Sequence, residues 1–233
     1  MKYDQREGNT LLAEEKQQLV ASVVTRVYLW MTLGLIATAG AAYYAVFSGL
    51  AVSLIYSNSL FVLLILQFGL VLCLNAGINR MSAHAAVLGF LAYSVFTGLT
   101  ISTVLLAYAP ATVHGAFATT ALMFGSTALY GSVTKKDLTS LGSLAIMGLF
   151  GIIIATIVNL FLGSVDLYWF VTYLGVIIFV ALTAYDAQRI KGMVSLDLDQ
   201  ETKKKVVILG ALTLYLNFIN LFLRLLRILG RRD

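Results

Sequence analysis

Residues 175–190 read GVIIFVALTAYDAQRI. No charge occurs from Gly175 to Tyr185, and the apolar run begins earlier, near Leu167. The run is therefore long enough to cross a bilayer before it reaches Asp186. A carboxylate at that position is costly unless it is paired, hydrated or protonated. Two readings follow. Asp186 marks the point where its helix leaves the lipid, with Arg189 and Lys191 just beyond it. Alternatively it is an ionisable group held inside a helix bundle, and such groups are functional candidates by default.

The rest of the chain supports a membrane setting. Of 233 residues, 60% are hydrophobic and 12% charged, and a single proline is present. A soluble domain of this length does not need that much apolar surface. The net charge of +5 comes from short clusters between apolar runs, which argues topology and against nucleic acid. The single cysteine, Cys73, cannot form an internal disulfide and reads as a packing residue. Residues 1–24 are polar and mixed in charge, unlike a signal peptide.

Apolar stretches lie at about 25–47, 59–79, 84–106, 111–133, 143–163, 167–189 and 206–229. Each has the roughly 20 residues that a ~30 Å hydrocarbon core requires of a helix. The expected fold is all-α and integral to the membrane. A cytoplasmic segment 1–24 leads into a seven-transmembrane-helix bundle at 25–229, followed by a basic tail at 230–233. Lysine and arginine gather in alternate connections: Arg80 in the second, Lys135 and Lys136 in the fourth, Lys191 and Lys203–Lys205 in the sixth. The first, third and fifth carry none. That alternation predicts a multi-pass protein of the cell (inner) membrane with a cytoplasmic N-terminus.

The last stretch departs from this pattern, because Arg224, Arg227, Arg231 and Arg232 gather at its far end. Either it re-enters, or it crosses and the arginines reach to the opposite interface. Asn217, Asn220 and Arg224 fall at i, i+3 and i+7, on one helical face. A polar stripe should face protein or water, which places this helix centrally, with the other six around it. For Asn217 to reach the depth of Asp186, the helix must start outside the lipid, with Lys203–Lys205 above it. Ala37 with Ala41, Gly115 with Thr119, Thr127 with Gly131, and Gly148 with Gly151 form small-residue faces suited to close helix packing.

Enzyme signals are weak. Gly125-Ser126-Thr127-Ala128 is not a nucleophile elbow, and His84 and His114 fall near opposite faces. No lysine lies between Val206 and Leu229, against a retinal protein. No catalytic residue and no cofactor is expected.

The run 175–190 closely resembles the signature of the Bax inhibitor-1 family, also called the transmembrane Bax inhibitor motif family. Arg26 to Thr32, Gly98-Leu99-Thr100, Lys135 to Leu138 and Leu214 to Phe222 resemble other parts of its pattern, so the resemblance covers most of the chain. The brevity of the chain resembles prokaryotic members. The resemblance implies a seven-helix bundle with the last helix in the middle and a pH-sensitive calcium leak. In that family one aspartate from each of the last two helices shares a proton, and a basic residue of the second helix can pair with one of them. Asp186 matches the first aspartate and Arg80 the basic residue. The second falls on Asn217, which is a departure, and Ala187 stands where threonine is common.

The departure has a consequence. Two close carboxylates cannot both ionise cheaply, whereas an asparagine can donate a hydrogen bond to one carboxylate. The expected pH response is blunted or moved to lower pH. The expected site comprises Asp186, Asn217 and Arg80 at the gate, Asn220 and Arg224 along the path, and Asp186 as a weak, transient calcium ligand. The expected partners are calcium ions and the lipid bilayer. The alternative is a membrane-embedded regulatory protein that modulates a membrane protease or another membrane complex, with Asp186 as a structural latch.

Overall fold

The computed structural model describes residues 2–57, 59–78, 80–194 and 198–230, with side chains from Glu14 onward. These form eight helices and no strand: α1 (Lys2–Phe47), α2 (Leu50–Tyr56), α3 (Ser59–Gly77), α4 (Ala83–Leu105), α5 (Pro110–Val133), α6 (Thr139–Leu162), α7 (Val165–Gly192) and α8 (Gln200–Leu229). The basic tail beyond Gly230 lies outside the described residues.

Local chemistry sets the helix ends. Gly49, at φ 76°, turns the chain between α1 and the short α2, a helix that hydropathy did not reveal. Gly163, at φ 62°, ends α6. Ser82 and Ser164 cap α4 and α7 by accepting from the backbone N–H groups of Ala85 and Leu167, each at 3.2 Å. Pro110 opens α5, where its missing N–H costs nothing. Asp199 caps α8, and its carboxyl is held below the usual carboxylate range by Thr202. Asp137, before α6, is likewise held low by the Thr139 hydroxyl at 2.6 Å and backbone N–H at 2.9 Å.

Burial is inverted relative to a water-soluble bundle. Phe61, Phe68, Ile154 and Phe161 are exposed on the outer faces of α3 and α6. Only 17% of the most apolar window of α3 is buried and 11% of that of α6, against 67% for α8. Such faces belong in hydrocarbon. Among the described residues six helices are long and apolar enough to cross a membrane, where seven were expected. The exception is α5, which carries Thr112, His114, Thr119, Thr120, Ser126 and Thr127 within 24 residues.

The helix α8 packs against α1, α4, α5 and α7. The expected ring of six neighbours is not formed. Instead α3 packs on α4, and α6 on α7, outside that inner set. Within the core, the Tyr215 hydroxyl lies 2.6 Å from Thr38 Oγ1, which reaches the carbonyls of Gly34 and Ser94, each at 2.9 Å. With Thr38 donating to a carbonyl, Tyr215 donates to Thr38. Phe90 and Tyr93 meet the Tyr215 ring edge-on.

Two small-residue contacts bring backbones together. A Cβ at Gly131 would strike the Ala184 backbone, and one at Gly98 would strike Thr38 and the Ala41 side chain. Gly115 and Gly151, expected to be packing residues, face open space because their sides of α5 and α6 are turned outward.

The connections sort into two ends of the bundle. At one end Ala83 N–H donates to Glu201 Oε1 at 2.6 Å, and Gln188 clasps the α5–α6 connection. Arg80, Lys135, Lys136 and Lys203–Lys205 gather at this end. At the other end a cavity of about 400 Å³ is lined by Tyr108, Ser164, Arg227 and Gly230. The helix α8 therefore runs from the basic end to the opposite one and does not re-enter.

Two outcomes follow. In a Cys73→Ser background reconstituted in membranes, an impermeant maleimide labels Lys135→Cys and Leu229→Cys from opposite sides; labelling of both from one side contradicts this path for α8. Gly131→Val lowers stability by about 1–3 kcal/mol through overpacking on α7, read as a fall in detergent melting temperature. An unchanged melting temperature contradicts the close α5–α7 contact.

Candidate functional site

Asp186 and Asn217 are buried in the seam between α7 and α8, at 7% and 5% exposure. Asn217 Nδ2 donates to Asp186 Oδ2 at 2.7 Å. A hydrogen bond to a charged acceptor is among the stronger ones a protein makes. Arg189, three residues further along α7, is exposed. Asp186 lies about 9 Å from the end of α7 at 1.5 Å per residue, and Asn217 about 26 Å from the start of α8. The two meet because α8 begins at Gln200, beyond the end of α7 on that side.

Arg80 does not join them. It sits in the α3–α4 turn with an exposed side chain, and its backbone N–H donates to the Gly77 carbonyl at 2.9 Å. Because α3 packs on the outside of α4, and not on α7, Arg80 is carried to the periphery. Its position is that of a basic anchor at the membrane surface.

The stretch around Asp186 is held from several sides. Ala184 meets Gly131 of α5 backbone to backbone, and the Tyr185 ring lies where a Cβ at Gly142 of α6 would stand. Gln188 Oε1 accepts from Leu138 N–H at 2.9 Å, and its Nε2 donates to the Lys136 carbonyl at 2.8 Å. Lys191 donates to the Ser132 carbonyl. Five residues of α7 between Ala184 and Lys191 thus bind α5, α6, their connection and α8.

The polar stripe of α8 runs along the same seam. Arg224 Nη1 donates to the Val171 carbonyl of α7 at 2.9 Å, with its guanidinium 5.3 Å from the Phe179 ring centre. Its Nε is buried without a hydrogen-bond partner among the described residues. Gly175 makes the room, since a Cβ there would occupy the guanidinium's place. Asn220, between the two ends, donates to the Leu216 carbonyl of its own helix at 2.9 Å. His84 and His114 line separate cavities.

Sequence reasoning missed Gln188, Gly131 as the partner of Ala184, Gly142 and Gly175. Their only sequence signal is small or amide character inside membrane-length helices. Nothing in the spacing says which neighbour each would meet.

Fold and site together define a polytopic helical membrane protein with a buried carboxylate–amide pair between its last two helices. A family profile described as inhibitor of apoptosis-promoting Bax1 matches residues 20–233, and the chain belongs to this family. It is 47% identical over 213 residues to the inner membrane protein YbhL of Escherichia coli K12, covering 90% of this chain and 91% of that protein. It is 40% identical over 226 residues to a protein of Borreliella burgdorferi, covering 95% and 97%. A Deinococcus radiodurans protein is 40% identical over 215 residues, covering 92% of each.

Removing either partner of the buried pair tests its strength. Asn217→Ala leaves the carboxylate without its amide donor, and a double-mutant cycle with Asp186→Ala gives a coupling of about 1.5–3 kcal/mol in detergent unfolding. Additive losses would show that the hydrogen bond is not formed.

Proposed function

We propose that the protein is a cation leak channel of the inner membrane, with calcium as its ion and Asp186 at its gate. The observation that carries this reading is the buried Asp186–Asn217 contact in the seam between α7 and the central helix α8. A carboxylate there attracts cations, and the hydrogen bond to Asn217 holds the seam closed. Opening separates the two side chains and frees the carboxylate and the amide oxygen. Calcium favours several oxygen ligands. Among the described residues no group of three or more His, Cys, Asp or Glu side chains could hold a metal ion. One carboxylate with amide and backbone oxygens suits passage better than storage.

The path follows the polar stripe, past Asn220, towards Arg224. The guanidinium near the opposite end repels a cation entering from that side, so conduction requires its displacement. The positive-inside rule makes the basic end cytoplasmic, along with the start of α1, and puts Gly230 on the other side. That arrangement needs an odd number of crossings. Counting α5 with the six most apolar helices gives seven.

Protonation of Asp186 removes the attracting charge and alters the bond to Asn217, so flux depends on pH. Reconstituting the pure protein in liposomes and recording calcium entry tests the reading. Wild type leaks, and Asp186→Asn reduces the flux at least about tenfold, because the charge that concentrates cations is gone. Equal flux in both contradicts a gate at Asp186. If neither passes calcium, the channel reading falls and a protein that regulates a membrane protease or another complex becomes the better account.

A further inference from the structure

At the basic end a cavity of about 760 Å³ opens between α1, α4 and α8, well away from the α7–α8 seam. Arg26, Lys203 and Lys204 line it, with Trp30, Leu88 and Ile208 among its apolar residues. Arg26 and Lys204 are exposed and Lys203 is half-buried. No aspartate or glutamate is among its described lining residues. The carboxylate nearest in sequence, Glu201, is engaged by the Ala83 backbone N–H at 2.6 Å.

Position and order matter as much as charge. The 30 residues of α8 span about 45 Å, which exceeds a ~30 Å hydrocarbon core by several turns. Its other end is fixed beside Tyr108 and Ser164, so the excess falls at Gln200–Lys205, the headgroup zone. Trp30 follows Arg26, Val207 follows Lys203 and Ile208 follows Lys204, each by four residues, so each cation has an apolar side chain one turn deeper on the same helix face. Cations outside, tryptophan at the boundary and aliphatic side chains inside match the profile of a phospholipid with a negative headgroup. A free phosphate would leave the apolar wall wet.

We propose that this cavity is a binding site for an anionic phospholipid, its phosphate held by Arg26, Lys203 and Lys204 and its acyl chains lying against Trp30, Leu88 and Ile208. Basic pockets between membrane helices on the cytoplasmic side have the chemistry to select such headgroups. The site does not depend on whether the protein passes calcium.

The chain has two tryptophans, so Trp169→Phe leaves Trp30 as the sole indole reporter. The full-length protein in detergent is titrated with brominated phosphatidylglycerol or brominated phosphatidylcholine, and quenching of Trp30 is read. The anionic lipid quenches at concentrations roughly tenfold to a hundredfold lower. The combined variant Arg26→Gln, Lys203→Gln, Lys204→Gln removes the preference, and Lys204→Glu alone weakens it with the melting temperature unchanged. Lys135→Gln with Lys136→Gln, exposed on the same end of the bundle but outside the cavity, retains it. Equal quenching by the two lipids overturns the proposal. So does loss of preference in the Lys135 and Lys136 control, which would reduce the effect to general surface charge. Displacement of the brominated anionic lipid by millimolar inorganic phosphate would also overturn it, assigning the cations to a free anion.

Discussion

A carboxylate cannot face hydrocarbon, and the arrangement of this bundle follows from where Asp186 is put instead. It points into the seam between α7 and α8 and receives one amide hydrogen bond from Asn217. That contact requires α8 to lie against α7 at this depth. Its depth in turn requires α8 to begin well beyond the end of α7. The lysines of the first turns of α8 then stand at the membrane surface, where charge is tolerated.

The surroundings of the pair are closely packed, and this constrains the gate proposed at Asp186. Ala184 and Tyr185 are set against glycines of α5 and α6, and Gln188 ties α7 to the connection between them. These contacts make α5, α6 and the last third of α7 one packed unit. The opposite wall of the seam is α8, anchored to α1 and α4 through Tyr215, Thr38 and Phe90. In the proposed channel, opening at Asp186 would be a relative movement of these two packed groups, with the polar stripe of α8 at their boundary.

The membrane class, the all-α architecture and the burial of the last helix were legible in the sequence, because hydropathy and charge act locally; the count of seven spans and the ring of six around the last helix were not met. The stripe Asn217, Asn220, Arg224 gave the burial of α8 from helical periodicity alone. Three features were not legible. The short α2 depends on Gly49 adopting a left-handed turn, which no pattern of seven apolar stretches encodes. The exclusion of Arg80 from the site depends on α3 packing outside α4, a tertiary choice between apolar faces of similar composition. The roles of Gly131, Gly142 and Gly175 depend on what faces each one. Gly115 and Gly151 have the same local look and face open space.

The central claim is that Asp186 gates through its α8 partner, and that an amide there in place of a carboxylate sets the pH response. The most direct measurement is the calcium flux of Asn217→Asp in proteoliposomes across pH 5 to 8, beside wild type. Two carboxylates at hydrogen-bond distance compete for one proton and titrate as a coupled pair. The account predicts a flux whose pH dependence is steeper in Asn217→Asp than in wild type. Superimposable pH profiles for the two proteins would contradict it.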